Sequence, residues 1–242
     1  MKLNYIFSSR TGLRRSINED YVDVFEVEDG LLAIVCDGLG GNKAGEVASK
    51  LAVSSIYNSF IGSEAKDLLV RIKEAIKFAN EQLIHSADKN SEFKGMATTA
   101  VVLFIDKIFA NWGHVGDSRL YFYTRNQVSQ LTKDHSFVQK LLDDGYISSK
   151  DAENHPHKNV IMRALGDKTN LEVDTEKIKF LKNESWKFLL CTDGVSNVVS
   201  RQELAEHLAY DDLEFISKSL SKLIDERGAP DNYSFIIISN QV

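Results

Sequence analysis

The sequence predicts an α+β fold, with antiparallel β-structure in the middle and helices outside it. Two amphipathic helical patterns follow each other between Gly45 and Leu83. Four strand-like runs then follow each other without an intervening helix, and a second helical group precedes a last apolar strand. Strand runs and helix runs are therefore segregated along the chain, as in α+β proteins rather than in βαβ folds.

Length and composition indicate one globular domain. The 242 residues contain only two prolines and no Ser/Gly-rich linker, repeat or low-complexity tract, so we expect a single domain over residues 1–242. The net charge of −6 argues against a nucleic-acid partner, which needs a basic face. The start has no signal-peptide pattern and no window approaches a membrane span. We therefore expect a cytoplasmic protein with no membrane partner.

The first clear strand lies in "LLAIVCDGLGGNKAG" (Leu31–Gly45), an apolar run that ends in Asp37 and a glycine-rich turn. Two interpretations compete for this turn: a phosphate cradle of a nucleotide-binding fold, or a metal ion bound by Asp37. A Rossmann turn needs G-x-G-x-x-G in a βαβ unit, and a P-loop needs Gly-Lys-Ser/Thr. Because neither pattern is present, the metal interpretation is favoured.

Helices and further strands follow this turn. Apolar residues from Ala48 to Phe60 share one helical face, and those from Leu69 to Leu83 recur at steps of three and four, which predicts an antiparallel helix pair packed on the sheet. Ser200 and Glu203 have the spacing of a capping box. Strand-like runs, the first four forming an antiparallel meander, are predicted at Thr98–Asp106, Lys107–Val115, Arg119–Thr124, Gln127–Thr132, Lys187–Asp193 and Tyr233–Asn240. A further helical face runs from Leu213 to Leu223.

The two cysteines are expected to be buried, reduced thiols. Cys36 and Cys191 both lie inside apolar strand-like runs. Each stands close to an acidic strand end, so we also considered that their oxidation could disturb a neighbouring site.

Acidic residues stand at the ends of several predicted strands. A single Asp-Gly is an ordinary turn, but carboxylates that converge at one end of a sheet repel each other unless a divalent cation compensates them. Without clustered His or Cys, such oxygen ligands favour Mg²⁺ or Mn²⁺. The residues concerned are Asp37, Asp117, Asp193, Asp231 and, near the start, Glu19 and Asp20.

A site of this kind suits hydrolysis of a phosphate ester, in which two cations activate a bridging water. The phosphoryl group also needs a fixed cation, for which the arginine fork is well shaped. Arg14 and Arg15 both stand beside the first acids, and spacing alone does not choose between them.

Nine motifs, in order, closely resemble those of the PPM family, the metal-dependent (type 2C) Ser/Thr protein phosphatases, and their variants resemble the bacterial branch. The resemblance runs from about Arg15 to Ser239. The motifs are "RSINED", "DGLGG", "GEVAS", "ATTA", "HVGDSRLY", "LTKDHS", "HPHKNVIMRALG", "CTDGVSN" and "APDNYS".

The resemblance implies a central β-sandwich flanked by helix pairs (α-β-β-α), with two metal ions at one end of the sandwich and a third, weaker ion. It implies that Arg15 binds the phosphate, which leaves Arg14 at the surface. It also implies a mobile flap at about residues 137–157. The implied metal residues are Asp37 and the carbonyl of Gly38, then Asp193 and Asp231, with Glu19 and Asp20 acting through water and Asp117 on the third ion.

The implied activity is metal-dependent hydrolysis of phosphoserine and phosphothreonine in proteins, by direct attack of a metal-bridging water on phosphorus. Mn²⁺ or Mg²⁺ would be the cofactor, a Ser/Thr kinase of the same cell the opposing partner, and a monomer the oligomeric state. Two alternatives stay open. One is a narrow regulatory phosphatase of a phosphorylated anti-sigma-factor antagonist, and the other is a pseudophosphatase that binds partners without catalysis.

Three positions depart from the family pattern. Leu39 stands where many members have a histidine proposed as general acid, so the leaving group must be protonated by another group, such as a metal-bound water. Asn197 replaces a common aspartate, which bears on the affinity of the third ion, and Ala97 replaces a glycine. His135 is expected to be structural, with Asp134 or Ser136 beginning the next helix.

Overall fold

Two antiparallel sheets lie face to face in the computed structural model, and helices cover the outer face of each sheet. The model describes residues 2–40, 44–153, 155–168, 171–180 and 184–240. Among them the strands are β1 (Asn4–Arg10), β2 (Asp20–Val27), β3 (Gly30–Leu39), β4 (Ala97–Thr98), β5 (Ala100–Ile105), β6 (Phe109–Val115), β7 (Arg119–Thr124), β8 (Gln127–Gln130), β9 (Asp174–Lys179), β10 (Trp186–Cys191) and β11 (Tyr233–Ser239). The α-helices are α1 (Ala44–Gly62), α2 (Leu68–Lys89), α3 (Phe137–Asp143), α4 (Ser149–Glu153), α5 (Asp193–Ser196), α6 (Arg201–Leu208) and α7 (Leu213–Glu226).

The first sheet has the order β2-β3-β5-β6-β9, and the second has the order β1-β11-β10-β7-β8. Helices α1 and α2 pack on the first sheet, and α5, α6 and α7 pack on the second. The predicted α+β class with an α-β-β-α arrangement is confirmed.

The continuous apolar run of β3 follows from its burial on both faces. Leu31, Ala33 and Val35 point into the core between the two sheets. Leu32, Ile34 and Cys36 point into the core beneath α1 and α2. Because side chains alternate across a strand, a strand covered on both faces shows no polar alternation.

The predicted meander is divided between the two sheets, which corrects the sequence prediction. β5 pairs with β6 and β7 pairs with β8, all antiparallel, but β6 and β7 are not neighbours. The chain crosses between sheets at residues 116–118, where Gly116 has a φ of +110°, a conformation that a residue with a Cβ rarely adopts. The apolar pattern of the sequence predicts where strands lie, but it does not indicate which sheet each strand joins.

Helix ends agree with the capping chemistry of the sequence. Ser200 and Glu203 form the predicted capping box at the start of α6. Ser136 begins α3 by accepting a hydrogen bond from the Gln139 amide, which decides between Asp134 and Ser136. The sequence analysis did not predict the edge strands β1, β2 and β9, whose half-exposed residues give a weak apolar pattern.

None of the helices that the structure describes combines the length and the apolar character needed to cross a membrane.

Both cysteines are buried, as predicted. Burial raises the pKa of the Cys191 thiol to about 12 and that of Cys36 further. Since the thiolate is the reactive form, the structure gives no support to an oxidation-sensitive role for either residue.

The core between the sheets should contribute strongly to the stability of the fold. Phe188 is fully buried there, in contact with Phe122 and Trp186. We expect Phe188→Ala to lower the free energy of unfolding by about 3–5 kcal/mol, through lost burial and the cavity left behind. Phe78→Ala, on the exposed side of α2, is the matched control. Urea denaturation of both variants checks this, and equal losses would contradict the assignment of the core.

Candidate active site

The first pair of acids comes from two neighbouring strands. Asp20 in β2 is the register partner of Asp37 in β3, so their backbones lie directly across the ladder from each other. Asp20 is buried and Asp37 is half-buried, and Thr192 donates its hydroxyl proton to Asp20 Oδ2 at 2.9 Å. Two acids, Asp20 and Asp37, therefore lie side by side where β3 ends.

Three more acids approach this pair from different elements. Asp193 is the first residue of α5 and follows β10, Asp117 lies in the crossing after β6, and Asp231 lies just before β11. Each of these three contributes to the repulsion that Asp37 experiences. The two sheets thus bring together acids that are up to 211 positions apart in the chain, Asp20 and Asp231 being the extremes.

The electrostatics of the cluster disfavour its charged form. Burial, followed by repulsion from Asp20, raises the pKa of Asp37 well above its ordinary value. Burial likewise raises the pKa of Asp20 and that of Asp117 to about 7, and it raises the pKa of Asp193. The causes are removal from water and like charge, both of which a bound cation would offset.

A loop that contains Arg15 and Glu19 closes one side of the cluster. Arg15 Nη2 donates to Asp231 Oδ2 at 2.8 Å, while about half of the arginine side chain stays exposed. Asn232 fixes the loop: its Nδ2 donates to the carbonyls of Thr11 and Ile17, and its Oδ1 accepts from the Glu19 amide. The sequence analysis assigned no function to Asn232, because no sequence pattern indicates these contacts between distant loops.

A hydroxyl network fixes the backbone at Asp37. The Asp37 amide donates to Thr99 Oγ1 at 2.9 Å, and the Thr98 hydroxyl and the Thr99 amide both donate to the Asp37 carbonyl. The Thr99 and Ser118 hydroxyl oxygens are 2.7 Å apart, which links the Asp37 strand to the residue after Asp117. In the sequence, Thr98 and Thr99 belong to the "ATTA" motif, which does not by itself indicate these hydrogen bonds to Asp37.

The glycines after Asp37 have a packing role. A Cβ on Gly38 would lie 2.1 Å from the Gly45 carbonyl oxygen and 2.5 Å from that of Glu19. Only glycine lets the end of β3 pass this close to the start of α1. Gly41 belongs to the same predicted turn and lies outside the described residues, and coordination of a metal by the Gly38 carbonyl stays a prediction.

The predicted flap segment follows the "KDHS" run and contains α3 and α4, and residue 154 lies outside the described residues. His135 makes the contacts expected of a structural residue: its amide donates to the Gly116 carbonyl, and its Nδ1 accepts from the Gly116 amide at 3.2 Å. Since Nδ1 accepts, Nε2 carries the proton and faces Asp174 Oδ2 at 3.3 Å.

One further group of potential ligands, His114, His135 and Asp174, has its ligand atoms within 4.8 Å of one another. A cation on His135 Nε2 would have to displace the proton that this nitrogen carries while Nδ1 still accepts from Gly116. The tautomer therefore favours a hydrogen-bonded group over a metal centre. The His114 and His135 rings also contact each other, with centroids 4.3 Å apart and planes tilted by 34°.

Two of the departures from the family pattern have visible surroundings. Leu39 is a half-buried aliphatic residue at the end of β3 and offers no proton. Asn197 Nδ2 donates to Asp193 Oδ2 at 3.1 Å, so the amide supports this carboxylate where a second carboxylate would repel it.

Comparison with known proteins agrees with this architecture. The family model described as "Protein phosphatase 2C" matches residues 13–226. The serine/threonine phosphatase stp of Listeria welshimeri is 34% identical over 98% of this chain and 95% of its own length. The crystal structure of Stp1 from Staphylococcus aureus matches with a TM-score of 0.92 at 32% identity, over 100% of this chain and 96% of that one.

A further structure is similar: the catalytic domain of the phosphatase PstP, in complex with two manganese ions, matches with a TM-score of 0.85. Its identity is 30%, and the match covers 98% of this chain and 97% of that chain. Motif order, fold and sequence similarity agree, and the chain belongs to the protein phosphatase 2C family of metal-dependent Ser/Thr protein phosphatases.

Proposed function

We propose that this chain hydrolyses phosphoserine and phosphothreonine in proteins, and that two Mn²⁺ or Mg²⁺ ions bind at its acidic cluster. The residues proposed to hold these ions are Asp37, the Gly38 carbonyl, Asp193 and Asp231, with Glu19 and Asp20 acting through water. Asp117 is proposed to bind a third, weaker ion.

The convergence of carboxylates, some buried and some half-buried, carries this proposal. Burying several like charges together destabilises a fold unless something compensates them. Glu19 Oε1 and Asp117 Oδ1 are buried without a hydrogen-bond partner among the described residues, so acceptor capacity is left over. The donor set is made of carboxylate oxygens, which hard divalent cations prefer.

Each part of the chain has a distinct task in this reaction. The bound ions would supply positive charge at the phosphoryl oxygens and lower the pKa of the attacking water. Asp37 holds the centre of the cluster and is itself held by the threonine network. The Arg15 side chain is half-exposed, and its ion pair with Asp231 fixes its orientation. Its guanidinium can therefore donate two hydrogen bonds to a phosphoryl group.

The physiological setting follows the same logic. A phosphoprotein phosphatase works against a Ser/Thr kinase of the same cell, so we propose a cognate kinase as partner, a cytoplasmic location and a monomeric state. A narrow regulatory specificity is the alternative, and a panel of unrelated phosphopeptides separates the two. A pseudophosphatase is disfavoured because every acid of the cluster is present.

Metal dependence is the first expected outcome. Metal-stripped protein should release no phosphate from a phosphothreonine peptide until Mn²⁺ or Mg²⁺ is added. Asp193→Asn should then lower kcat/KM by more than about 100-fold, since even outer partners of metal ligands cost 10–100-fold. Asp29→Asn, in the exposed turn at the opposite end of β3, is the control. Full activity without metal would refute the proposal.

Arg15 should act through its fork, not only through its charge. We expect Arg15→Lys to lower kcat/KM by about 10- to 100-fold, because charge-assisted hydrogen bonds to the phosphate are lost. Arg14→Lys, one residue earlier and also exposed, should have little effect. Steady-state kinetics on the same peptide distinguish the two arginines, and a larger loss for Arg14 would reverse the assignment.

Repulsion within the cluster predicts opposite effects on stability and activity. The Asp37 and Asp193 side chains are hydrogen-bonded to each other. Asp37→Asn removes one acidic group from the cluster, and the new amide can donate to Asp193, so the metal-free protein should melt a few degrees higher while activity is lost. Thermal melts in excess chelator measure this effect, with Asp29→Asn again as control. A lower Tm for Asp37→Asn would show that the buried acids do not destabilise the metal-free fold.

A further inference from the structure

A polar cleft of about 620 Å³ lies beside the acidic cluster, between the start of the predicted flap and the α5–α6 region. One wall comes from α3, which contributes Gln139 and Leu142. The opposite wall comes from Ser196 and Asn197 and from the first turn of α6. No part of the proposed reaction uses this cleft.

Most charges that line the cleft are already paired. The Arg119 guanidinium donates to both carboxylate oxygens of Asp134, at 2.6–3.1 Å. Arg227 pairs with Glu203 and also donates to the Val198 carbonyl at 2.6 Å. These two ion pairs account for both carboxylates among the described residues that line the cleft.

Two cations remain without a carboxylate partner among the described residues. Lys158 and Arg201 both line the cleft, both are exposed, and neither forms an ion pair there. Within the described part of the chain, the Arg201 guanidinium forms one hydrogen bond, to the Gln130 side-chain oxygen at 3.5 Å. A locally positive cleft is notable in a chain whose net charge is −6, because charge of one sign that lines a concave surface attracts ions of the other sign.

The cleft adjoins the proposed catalytic site through Asn197. Asn197 lines the cleft and donates its amide to Asp193 Oδ2. It brings no negative charge to the boundary between the two regions. A substrate whose phosphorylated residue lies at the acidic cluster would therefore extend an adjacent part of its chain towards Lys158 and Arg201.

We propose that this cleft binds an anionic side chain of the substrate protein, close in sequence to the phosphoserine or phosphothreonine that is hydrolysed. Lys158 and Arg201 are the residues that select for it. This inference rests on the proposed function and adds a substrate class: phosphoproteins with an acidic residue or a second phosphate beside the scissile one.

The test compares three phosphothreonine peptides of equal length. One carries glutamates on both sides of the phosphothreonine, one carries glutamines there, and one carries a second phosphothreonine in place of the glutamates. With Mn²⁺ present, kcat/KM for an anionic peptide should exceed that of the glutamine peptide by about five- to tenfold, as expected for partly exposed ion pairs. Raising the ionic strength should reduce this preference.

The double variant Lys158→Gln/Arg201→Gln should lose most of the preference, and Arg201→Glu should lower it as a single substitution. Lys218→Gln is the matched control, since Lys218 is exposed on α7 and pairs with Glu214 instead. It should keep the preference. The readout is a ratio between peptides, so a partly unfolded variant does not imitate the effect.

The glutamate peptide and the doubly phosphorylated peptide distinguish two kinds of occupant. A preference for both anionic peptides supports a general anion site, and a preference for the doubly phosphorylated peptide alone supports a second phosphate as occupant. Equal kcat/KM for all three peptides, with p-nitrophenyl phosphate hydrolysed, would overturn this inference and leave the proposed function intact. No hydrolysis of any substrate would overturn both.

Discussion

The repulsion among buried carboxylates at one end of the β-sandwich is the constraint on which the rest of the structure depends. Asp20 and Asp37 face each other across a strand ladder, and Asp117, Asp193 and Asp231 add further negative charge. The pKa of each of the first two is raised because both are removed from water. A fold that keeps such a group in place must offset its energy elsewhere, and a bound cation is the natural complement.

The scaffold offsets this energy with a large apolar core and local hydrogen bonds. Three buried clusters, one between the sheets and one beneath each helix layer, stabilise the strands on which the acids stand. The Thr98 and Thr99 hydroxyls and the Asn232 side chain then fix the backbone at the acids themselves. Rigid elements with a polar end are the arrangement that a metal site requires.

The acidic cluster and the positive cleft are neighbouring surfaces at the same end of the molecule. The acidic cluster favours cations, whereas the neighbouring cleft presents Lys158 and Arg201 without carboxylate partners among the described lining residues. Asn197 stands at the boundary and hydrogen-bonds to Asp193. An aspartate at this position would repel Asp193 and would offset part of the positive charge of the cleft, whereas the neutral amide does neither.

The sequence by itself determined the α+β class, the long helices, the acidic strand ends and, through the order of nine motifs, the family, which the comparisons confirm. These features are local: a periodicity, a capping box or a motif is contained in a few consecutive residues. Only the tertiary structure decided that β6 and β7 belong to different sheets, that Asn232 ties the Arg15 loop, and that α3 and α6 enclose a positive cleft. Each of those depends on contacts between distant segments, and no short pattern records the packing that brings such segments together.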